Sequence, residues 1–254
     1  MKRIALILSC LLFCFICAER MALADVSSKM PMKVSISVED TEEPQKMAVI
    51  LQIVLMLTIL SVAPALLMML TSFTRIVIIL SFLKRAMSTG SQPSAQILVG
   101  LALFLTFYIM APVFSEINDT ALTPFLDNKI SGKVAIENAE IPLRKFMFHY
   151  TREKDLALFV HLSKMKRPKN KEEVPIHLLI PAFIMSELKT AFQMGFVLFL
   201  PFLVLDMVVA SVLLSMGMMM LPPIMVSMPF KILLFVLVDG WHLIIRSITM
   251  SYQY

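Results

Sequence analysis

Four long apolar runs alternate with polar stretches along this chain, at about residues 47–70, 96–114, 191–215 and 221–245. An α-helix needs about 20 apolar residues to cross the hydrocarbon core of a bilayer, and each run approaches or exceeds that length. Only a short turn separates the last two runs, and prolines interrupt the apolar pattern. The pattern therefore predicts an all-α membrane protein with about four long apolar helices, arranged as kinked helical hairpins.

A polar stretch at 115–190 separates the second run from the third, and we expect it to form a helical insertion. Its charged segment at 152–155 is typical of a solvated helix face. Because the residue before a proline avoids the helical conformation, we expect the helices of this insertion to end at its prolines. These are Pro124, Pro142, Pro168, Pro175 and Pro181.

Residues 1–24 have the pattern of a cleavable signal peptide. Lys2 and Arg3 precede a short apolar core at 4–18, and a small-residue site ending in Ala24 follows, immediately before Asp25. All three cysteines lie in this segment, so the mature chain would hold no disulfide and no thiolate ligand. The alternative is an uncleaved first transmembrane helix, which the short apolar core does not favour.

Export of the N-terminus predicts the orientation of the remaining chain. Residues 25–46 are polar and are expected to form a flexible exported tail, followed by a membrane domain at 47–254. The first run then crosses inward, so that Arg75, Lys84 and Arg85 face the cytoplasm, as the positive-inside rule requires. The second run returns outward and leaves the polar insertion on the outer side of the membrane.

Composition excludes several classes of function. The chain is 58% hydrophobic with a mean hydropathy of +0.82, whereas soluble domains average about 45–50% apolar residues. Its net charge of +5 is spread over several segments without interleaved aromatic residues, so nucleic-acid binding is not expected. The four histidines are not at ligand spacing, and no phosphate-binding loop, zinc-protease motif or nucleophile elbow is present. We expect neither enzymatic activity nor a metal or cofactor.

Charged residues interrupt the apolar runs near the end of the chain. Asp206 lies within the third run, Lys231 and Asp239 lie within the fourth, and Glu187 lies at the entrance of the third. A charge at membrane depth is costly, so each is expected to pair or to face protein or water. We expect Lys231 to pair with a carboxylate, Glu187 being the first choice, within or between copies. Snorkelling of Lys231 to the membrane surface is the alternative.

The turn between the last two runs holds Met218, Met219 and Met220, flanked by Gly217 and by two prolines. Three consecutive residues point in three directions on a helix, so a single packing face cannot use all of them. Methionine side chains are flexible and apolar, and several copies of this turn around one axis would form a soft seal. Ordinary packing is the alternative, because methionine supplies 22 of the 254 residues.

Several segments of the chain resemble the FliP family, the export-gate proteins of flagellar type III secretion. The resemblance runs from about residue 47 to the C-terminus, and its motifs are specific. The segment at 151–156 and the signal peptide resemble the flagellar branch more than the injectisome branch. The matching segments are 72–78 (SFTRIVI), 100–106 (GLALFLT), 180–183 (IPAF), 186–192 (SELKTAF) and 235–241 (FVLVDGW).

The resemblance implies a pore-forming core subunit that passes unfolded flagellar subunits across the bacterial inner membrane and is required for flagellum assembly. It implies a pentamer that assembles with FliQ and FliR, near FlhB and FlhA, in the flagellar basal body. The family's methionine gasket corresponds to Met218, Met219 and Met220. In assembled members the helices lie more above the membrane than across it. An injectisome subunit, a small-solute transporter and a passive membrane scaffold remain as alternatives.

Overall fold

The computed structural model describes most of the predicted membrane domain. The chain divides into two compact units, Met1–Ile53 and Val54–Tyr254, and all packing given below lies within the second. The predicted signal peptide with its cleavage site at Ala24 and Asp25, residues 25–43 of the predicted tail, and Met219 and Met220 lie outside the described residues. The described residues are 44–90, 92–163, 168, 170, 173–218 and 221–252.

The described residues form helices and connecting turns, without a strand, which confirms the all-α class. A π-helical turn, Asn118–Leu122, joins α3 to the short α4. The helices are α1 (Pro44–Met69), α2 (Phe73–Met87), α3 (Ala95–Ile117), α4 (Thr123–Leu126), α5 (Gly132–Tyr150), α6 (Glu153–Leu162), α7 (Ile176–Ser215), α8 (Pro223–Leu237) and α9 (Gly240–Met250).

The count of about four long apolar helices is not confirmed. Two described segments, Ala95–Leu126 and Ile176–Ser215, are long and apolar enough to cross a membrane. The last predicted run is instead two helices, α8 and α9, which bend by 63° and make a third span only if they are taken together. Asp239 causes this break, because its left-handed φ of 49° ends one helix before the next begins. Within α1 the stretch Ile50–Val62 is an apolar helix segment that is shorter than a span.

Helix α7 reaches far beyond the predicted third run. It has 40 residues, which corresponds to a length of about 60 Å, roughly twice the hydrocarbon thickness of a bilayer. Its first half therefore extends out of any membrane that its second half crosses. Pro181 lies inside α7 and Pro142 inside α5, so the predicted breaks at these two prolines are wrong. Pro175 and Pro124, in contrast, lie at helix N-termini, where a missing N–H costs nothing.

Helix α7 packs most extensively on α2, and this contact organises the core. The two helices approach closely at Gly195, where an added Cβ would lie 2.6 Å from the ring of Phe82. One apolar cluster joins α2, α3, α7, α8 and α9 around Ile79 and Leu83. A second cluster joins α3, α5, α7 and the C-terminus around Phe146 and Phe183. The polar insertion thus packs on α7, which also forms the first arm of the hairpin with α8.

Much apolar surface is left uncovered in the single chain. Between Val54 and Leu60 on α1, every large apolar side chain is at least 54% exposed. On α7, Phe196 and Val197 are 62% and 65% exposed. An apolar surface of this extent marks contact with lipid or with other protein chains.

Candidate functional site

The buried charge of Glu187 is paired with Arg75 of α2. Arg75 Nε donates a hydrogen bond to Glu187 Oε2 at 2.9 Å, and Arg75 Nη2 donates to the other carboxylate oxygen. Arg75 is 3% exposed and Glu187 is 0% exposed. This bidentate geometry is the strongest arrangement for a guanidinium and a carboxylate. It joins the first turn of α2 to the middle of α7.

The C-terminal residues close this network. The hydroxyl of Tyr252 donates to Glu187 Oε2, and Arg75 Nη1 donates to the Ser251 carbonyl oxygen at 3.2 Å and to its Oγ at 3.0 Å. The guanidinium carbon of Arg75 lies 3.9 Å from the centre of the Tyr252 ring. Burial, reinforced by the Glu187 carboxylate, raises the pKa of Tyr252 well above its usual range, so its hydroxyl remains a donor.

A second network holds Lys231 of α8 against α7. Lys231 Nζ donates to Asp206 Oδ2 at 2.7 Å and to Ser88 Oγ at 2.9 Å, and Ser227 Oγ donates to Asp206 Oδ1 at 2.5 Å. The Lys231 side chain is 1% exposed, whereas that of Asp206 is 29% exposed. The pair therefore connects both arms of the hairpin with the end of α2.

The prediction that Lys231 pairs with a carboxylate is confirmed, but Glu187 is the wrong partner. In an antiparallel hairpin, residues at equal distances from the turn lie opposite each other. Asp206 lies 12 residues before Met218 and Lys231 lies 13 after it; Glu187 and Tyr252 lie 31 before and 34 after. This spacing was present in the sequence and would have identified both contacts.

Arg75 was missed by sequence reasoning. The positive-inside rule grouped it with Lys84 and Arg85 as an exposed cytoplasmic charge, but the structure buries it in the core. The signal that was available is its position within the otherwise apolar first turns of α2, where an unpaired charge would be costly. Such a position predicts a partner, although it does not identify Glu187.

A third network docks the insertion on α7. Ser186 Oγ donates to Asp155 Oδ2 at 2.8 Å and accepts from the Arg152 backbone N–H at 3.0 Å. Lys189 Nζ lies 3.9 Å from Asp155 Oδ1. Asp155 is only 3% exposed, so the prediction of a solvated face at this residue is wrong. Neighbouring residues of α7 thus hold α6 through Ser186 and α2 through Glu187.

Asp239 and Met218 both lie at bends near the end of the chain. Asp239 precedes α9 and is exposed in the single chain, so its contact with a partner or with water stays a prediction. Helix α7 ends with Gly217 at φ 76°, and the N–H groups of Gly217 and Met218 bond back to Leu214 and Leu213. This is a Schellman cap, and it leaves Met218 43% exposed at the end of the hairpin arm.

The cavities of the described chain are apolar or open to its surface. One, of about 510 Å³, lies between α2, α7, α8 and α9 and is lined by residues such as Leu198, Phe202 and Ile244. Another, of about 580 Å³, lies between the end of α2 and the start of α3. Within the described residues, histidine, cysteine and carboxylate side chains form no group of three that could hold a metal ion.

Fold and site together define an all-helical protein with helices long and apolar enough to cross a membrane, in which the buried charges of the described residues are paired inside the chain. The sequence pattern of the FliP family matches residues 56–248. The chain is 56% identical over 217 residues to flagellar biosynthetic protein FliP of Bacillus subtilis (strain 168), covering 85% of this chain and 98% of that protein. It is 52% identical over 201 residues to the protein of that name from Pectobacterium carotovorum subsp. carotovorum, covering 79% and 78%.

A more divergent relative, flagellar biosynthetic protein FliP of Aquifex aeolicus (strain VF5), is 45% identical over 205 residues, covering 80% of this chain and 86% of that protein. The matched region takes up most of the chain in each of these comparisons, and the family match at residues 56–248 includes α2, α6, α7 and α8, which carry the charge networks. The chain belongs to the FliP family, and the resemblance inferred from its motifs is confirmed.

Proposed function

We propose that this chain is a pore-forming core subunit of the flagellar type III export gate, which passes unfolded flagellar subunits across the bacterial inner membrane. Membership of the FliP family supports this proposal, since its relatives are flagellar biosynthetic proteins. The observation that carries it is the hairpin of α7 and α8. Its charges are neutralised within the chain while its apolar faces and the end of its turn remain uncovered.

The uncovered faces are suited to association with other helices. Phe196, Val204 and Val208 of α7 are each more than half exposed, while the Lys231–Asp206 pair lies between the hairpin arms. A subunit with internally paired charges can bury such faces without desolvating an unpaired charge. The chain would thus form a homo-oligomer, a pentamer by family resemblance, together with FliQ and FliR and next to FlhB and FlhA.

The paired residues have an indirect role in this proposal. Glu187, Asp206 and Lys231 hold the arms in the geometry that neighbouring chains recognise. Asp239, exposed beside the bend between α8 and α9, is available to a neighbouring chain. In the basal body the insertion at 115–190 would lie on the periplasmic side, after removal of a signal peptide between Ala24 and Asp25.

The gate itself would be formed by Met218, Met219 and Met220 from several copies. The Schellman cap ends α7 and fixes the backbone up to Met218, the first of the three methionines. Flexible thioether side chains can close on one another at rest and still yield around a passing chain. An apolar constriction of this kind blocks ions by dewetting, without any charged group.

Substitution of the three methionines tests this function. Alanine at all three positions removes bulk, so the membrane should leak small ions while the complex still assembles. Leucine at all three keeps bulk and loses adaptability, so ion leakage should stay low while export of flagellar subunits slows. The measurements are ion conductance across the inner membrane, secretion of flagellar subunits and motility, in a flagellated strain that lacks its own FliP protein.

A matched control replaces three other exposed methionines, Met207, Met225 and Met250, with alanine. This control should neither leak nor slow export. A gasket variant that assembles, remains ion-tight and exports normally would contradict the gate and favour a passive scaffold. Rescue of an injectisome mutant but not of a flagellar mutant would assign the chain to the injectisome branch.

A further inference from the structure

A basic cavity lies where α2 ends and α3 begins. Its volume is about 580 Å³, and it is open on one side. Polar lining comes from the last turns of α2 and the following loop, and apolar lining comes mainly from α3 and from the start of α8. The lining residues that matter here are Lys84, Arg85, Ser88, Leu98, Val99 and Ile224, and no lining residue carries a carboxylate.

Lys84, which is half-buried, and Arg85, which is exposed, differ from the fully buried cations of the described core. Arg75 and Lys231 are buried and bonded to carboxylates. The side chains of Lys84 and Arg85 form no ion pair and no hydrogen bond with any described residue. Their position in the last turn of α2 complements the helix dipole, but that effect does not require them to line a cavity. Two adjacent, uncompensated positive charges instead favour an anionic ligand.

Ser88 adds a hydrogen-bond donor to this cavity. Its Oγ accepts from Lys231 Nζ at 2.9 Å, which leaves the hydroxyl proton free for another acceptor. Lys231 itself is compensated by Asp206, so the charge that faces the cavity comes from Lys84 and Arg85. A ligand with several acceptor oxygens and a negative charge, such as a phosphate, matches this set of donors.

The apolar wall and the position of the cavity distinguish between sources of phosphate. Ala95 both lines the cavity and begins the apolar segment Ala95–Leu126, which is long enough to cross a membrane. The end of such a segment is the level of the lipid headgroups, where basic residues attract anionic lipids. Leu98 and Val99 continue from this level along α3 and offer a path for an acyl chain.

We propose that this cavity binds an anionic phospholipid, with the phosphate held by Lys84, Arg85 and the Ser88 hydroxyl and an acyl chain lying along Val99 and Ile224. The site is separate from the methionine turn and does not depend on its role in export. Free phosphate would use the same donors but would leave the apolar wall uncovered, so a lipid satisfies more of the lining.

Native mass spectrometry of the purified full-length protein tests this site. The protein is incubated with an equimolar mixture of phosphatidylglycerol and phosphatidylcholine that carry the same acyl chains. The native chain should retain phosphatidylglycerol preferentially. Each basic residue near an anionic surface contributes about fivefold to binding, so K84Q combined with R85Q should weaken retention roughly 30-fold. The charge-preserving K84R with R85K should retain the lipid.

Two further variants test whether lipid retention depends on this cavity or only on the positive charge of the protein. K133Q with K154Q removes two exposed charges from the insertion and should leave lipid retention unchanged. V99W keeps both cations but fills the apolar wall, and should lower retention in a protein whose thermal unfolding matches that of the native chain. Equal retention of both lipids, or retention that survives both the double glutamine variant and V99W, would overturn the proposal.

Competition by inorganic phosphate, together with co-purification, distinguishes a bound lipid from a free anion and from a carboxylate of a neighbouring protein. If phosphate alone binds through Lys84 and Arg85 and displaces the lipid completely, the ligand is a free anion and the lipid proposal is wrong. If the double glutamine variant retains phosphatidylglycerol but no longer co-purifies with other copies of the chain, the two cations serve a carboxylate of a neighbouring protein, and the proposal is equally wrong.

Discussion

Two buried ion pairs among the described residues, Arg75–Glu187 and Lys231–Asp206, differ in how completely they are enclosed. Arg75 and Glu187 are both almost fully buried and are closed by the C-terminal Tyr252. Lys231 is buried to the same degree, but its partner Asp206 keeps 29% of its side-chain surface exposed. The first pair joins α2, α7 and the C-terminal residues, and the second joins the arms of the hairpin to the end of α2. Both side chains of the Arg75–Glu187 pair are therefore excluded from water, whereas the Lys231–Asp206 pair keeps one side chain in partial contact with water.

This difference determines the cost of breaking each pair. Removing one partner of a fully buried pair leaves the other charge desolvated and uncompensated. A partly exposed partner can recover water, which reduces the cost. We therefore expect the Arg75–Glu187 pair to be the more sensitive of the two, although both lie in apolar helices.

The largest effect is expected from Glu187→Ala. This change leaves the buried Arg75 guanidinium without its carboxylate partner and should lower the free energy of unfolding by about 3–5 kcal/mol. The measurement is thermal unfolding of the purified protein in detergent, together with the amount of protein found in the membrane. Arg75→Ala should have a similar effect, because it leaves the buried Glu187 carboxylate without its cation.

Lys129→Ala is the control for a pair that is exposed on both sides. The side chains of Lys129 and Asp127 are 69% and 48% exposed and lie 3.0 Å apart, so the loss should cost less than about 1 kcal/mol. If Glu187→Ala destabilises the chain no more than Lys129→Ala does, complete enclosure does not determine the cost of breaking a pair.

A smaller effect is expected from Gly195→Ala, which tests the helix contact that brings Arg75 and Glu187 together. The new Cβ would lie 2.6 Å from the Phe82 ring, and relieving such overpacking costs about 1–3 kcal/mol. Gly100→Ala in α3 is the control, since nothing lies within 4 Å of its added Cβ. That control should gain up to about 1 kcal/mol in helix propensity. Equal unfolding temperatures for the two variants would show that α2 and α7 tolerate a wider separation.

An effect in the same range as that of Gly195→Ala is expected from Tyr252→Phe, which removes one hydrogen bond to the Glu187 carboxylate and keeps the ring over Arg75. The loss should be about 1.5–3 kcal/mol at neutral pH, the range for hydrogen bonds to charged groups, and nearer its lower end because Arg75 still satisfies the carboxylate. Tyr252→Ala should cost more, since it also removes the ring.

The pH dependence of this variant gives an independent check. The pKa of Tyr252 is raised above the ordinary value of 10.0 by burial and by Glu187. Its stabilising effect is therefore complete below pH 10 and is lost as the pH rises towards the folded-state value. The difference in unfolding free energy between native chain and Tyr252→Phe should be constant below pH 10 and narrow above it. A difference that widens in alkaline solution would contradict the buried, protonated phenol.

The helical class, the short turn and the need to pair Lys231 could all be predicted from local patterns. Apolar run length indicates membrane helices, and a lone lysine within such a run requires compensation. The partner is identified by the antiparallel geometry of the hairpin, in which Asp206 and Lys231 lie at nearly equal distances from Met218 along the chain. That geometry was implicit in the sequence, but proximity to the run entrances suggested Glu187 instead.

Other features depend on tertiary packing and could not be predicted locally. Pro142 and Pro181 lie inside helices because packing around α5 and α7 outweighs the lost hydrogen bond. Asp155 has charged neighbours in the sequence and Arg75 has mainly apolar ones, yet each is buried against a partner more than 30 residues away. The bend at Asp239 interrupts a run that periodicity treats as continuous.

The most direct test asks whether Lys231 and Asp206 pair within one chain, as the structure has them. Asp206→Lys and Lys231→Asp are made singly, combined on one chain, and placed on two chains expressed in the same cell, with assembly and secretion as the measurements. We predict that each single change impairs both, that the exchange on one chain restores them in part, and that the mixture of singly changed chains does not. Rescue by the mixture, or an exchange on one chain no better than the single changes, would contradict pairing within the chain.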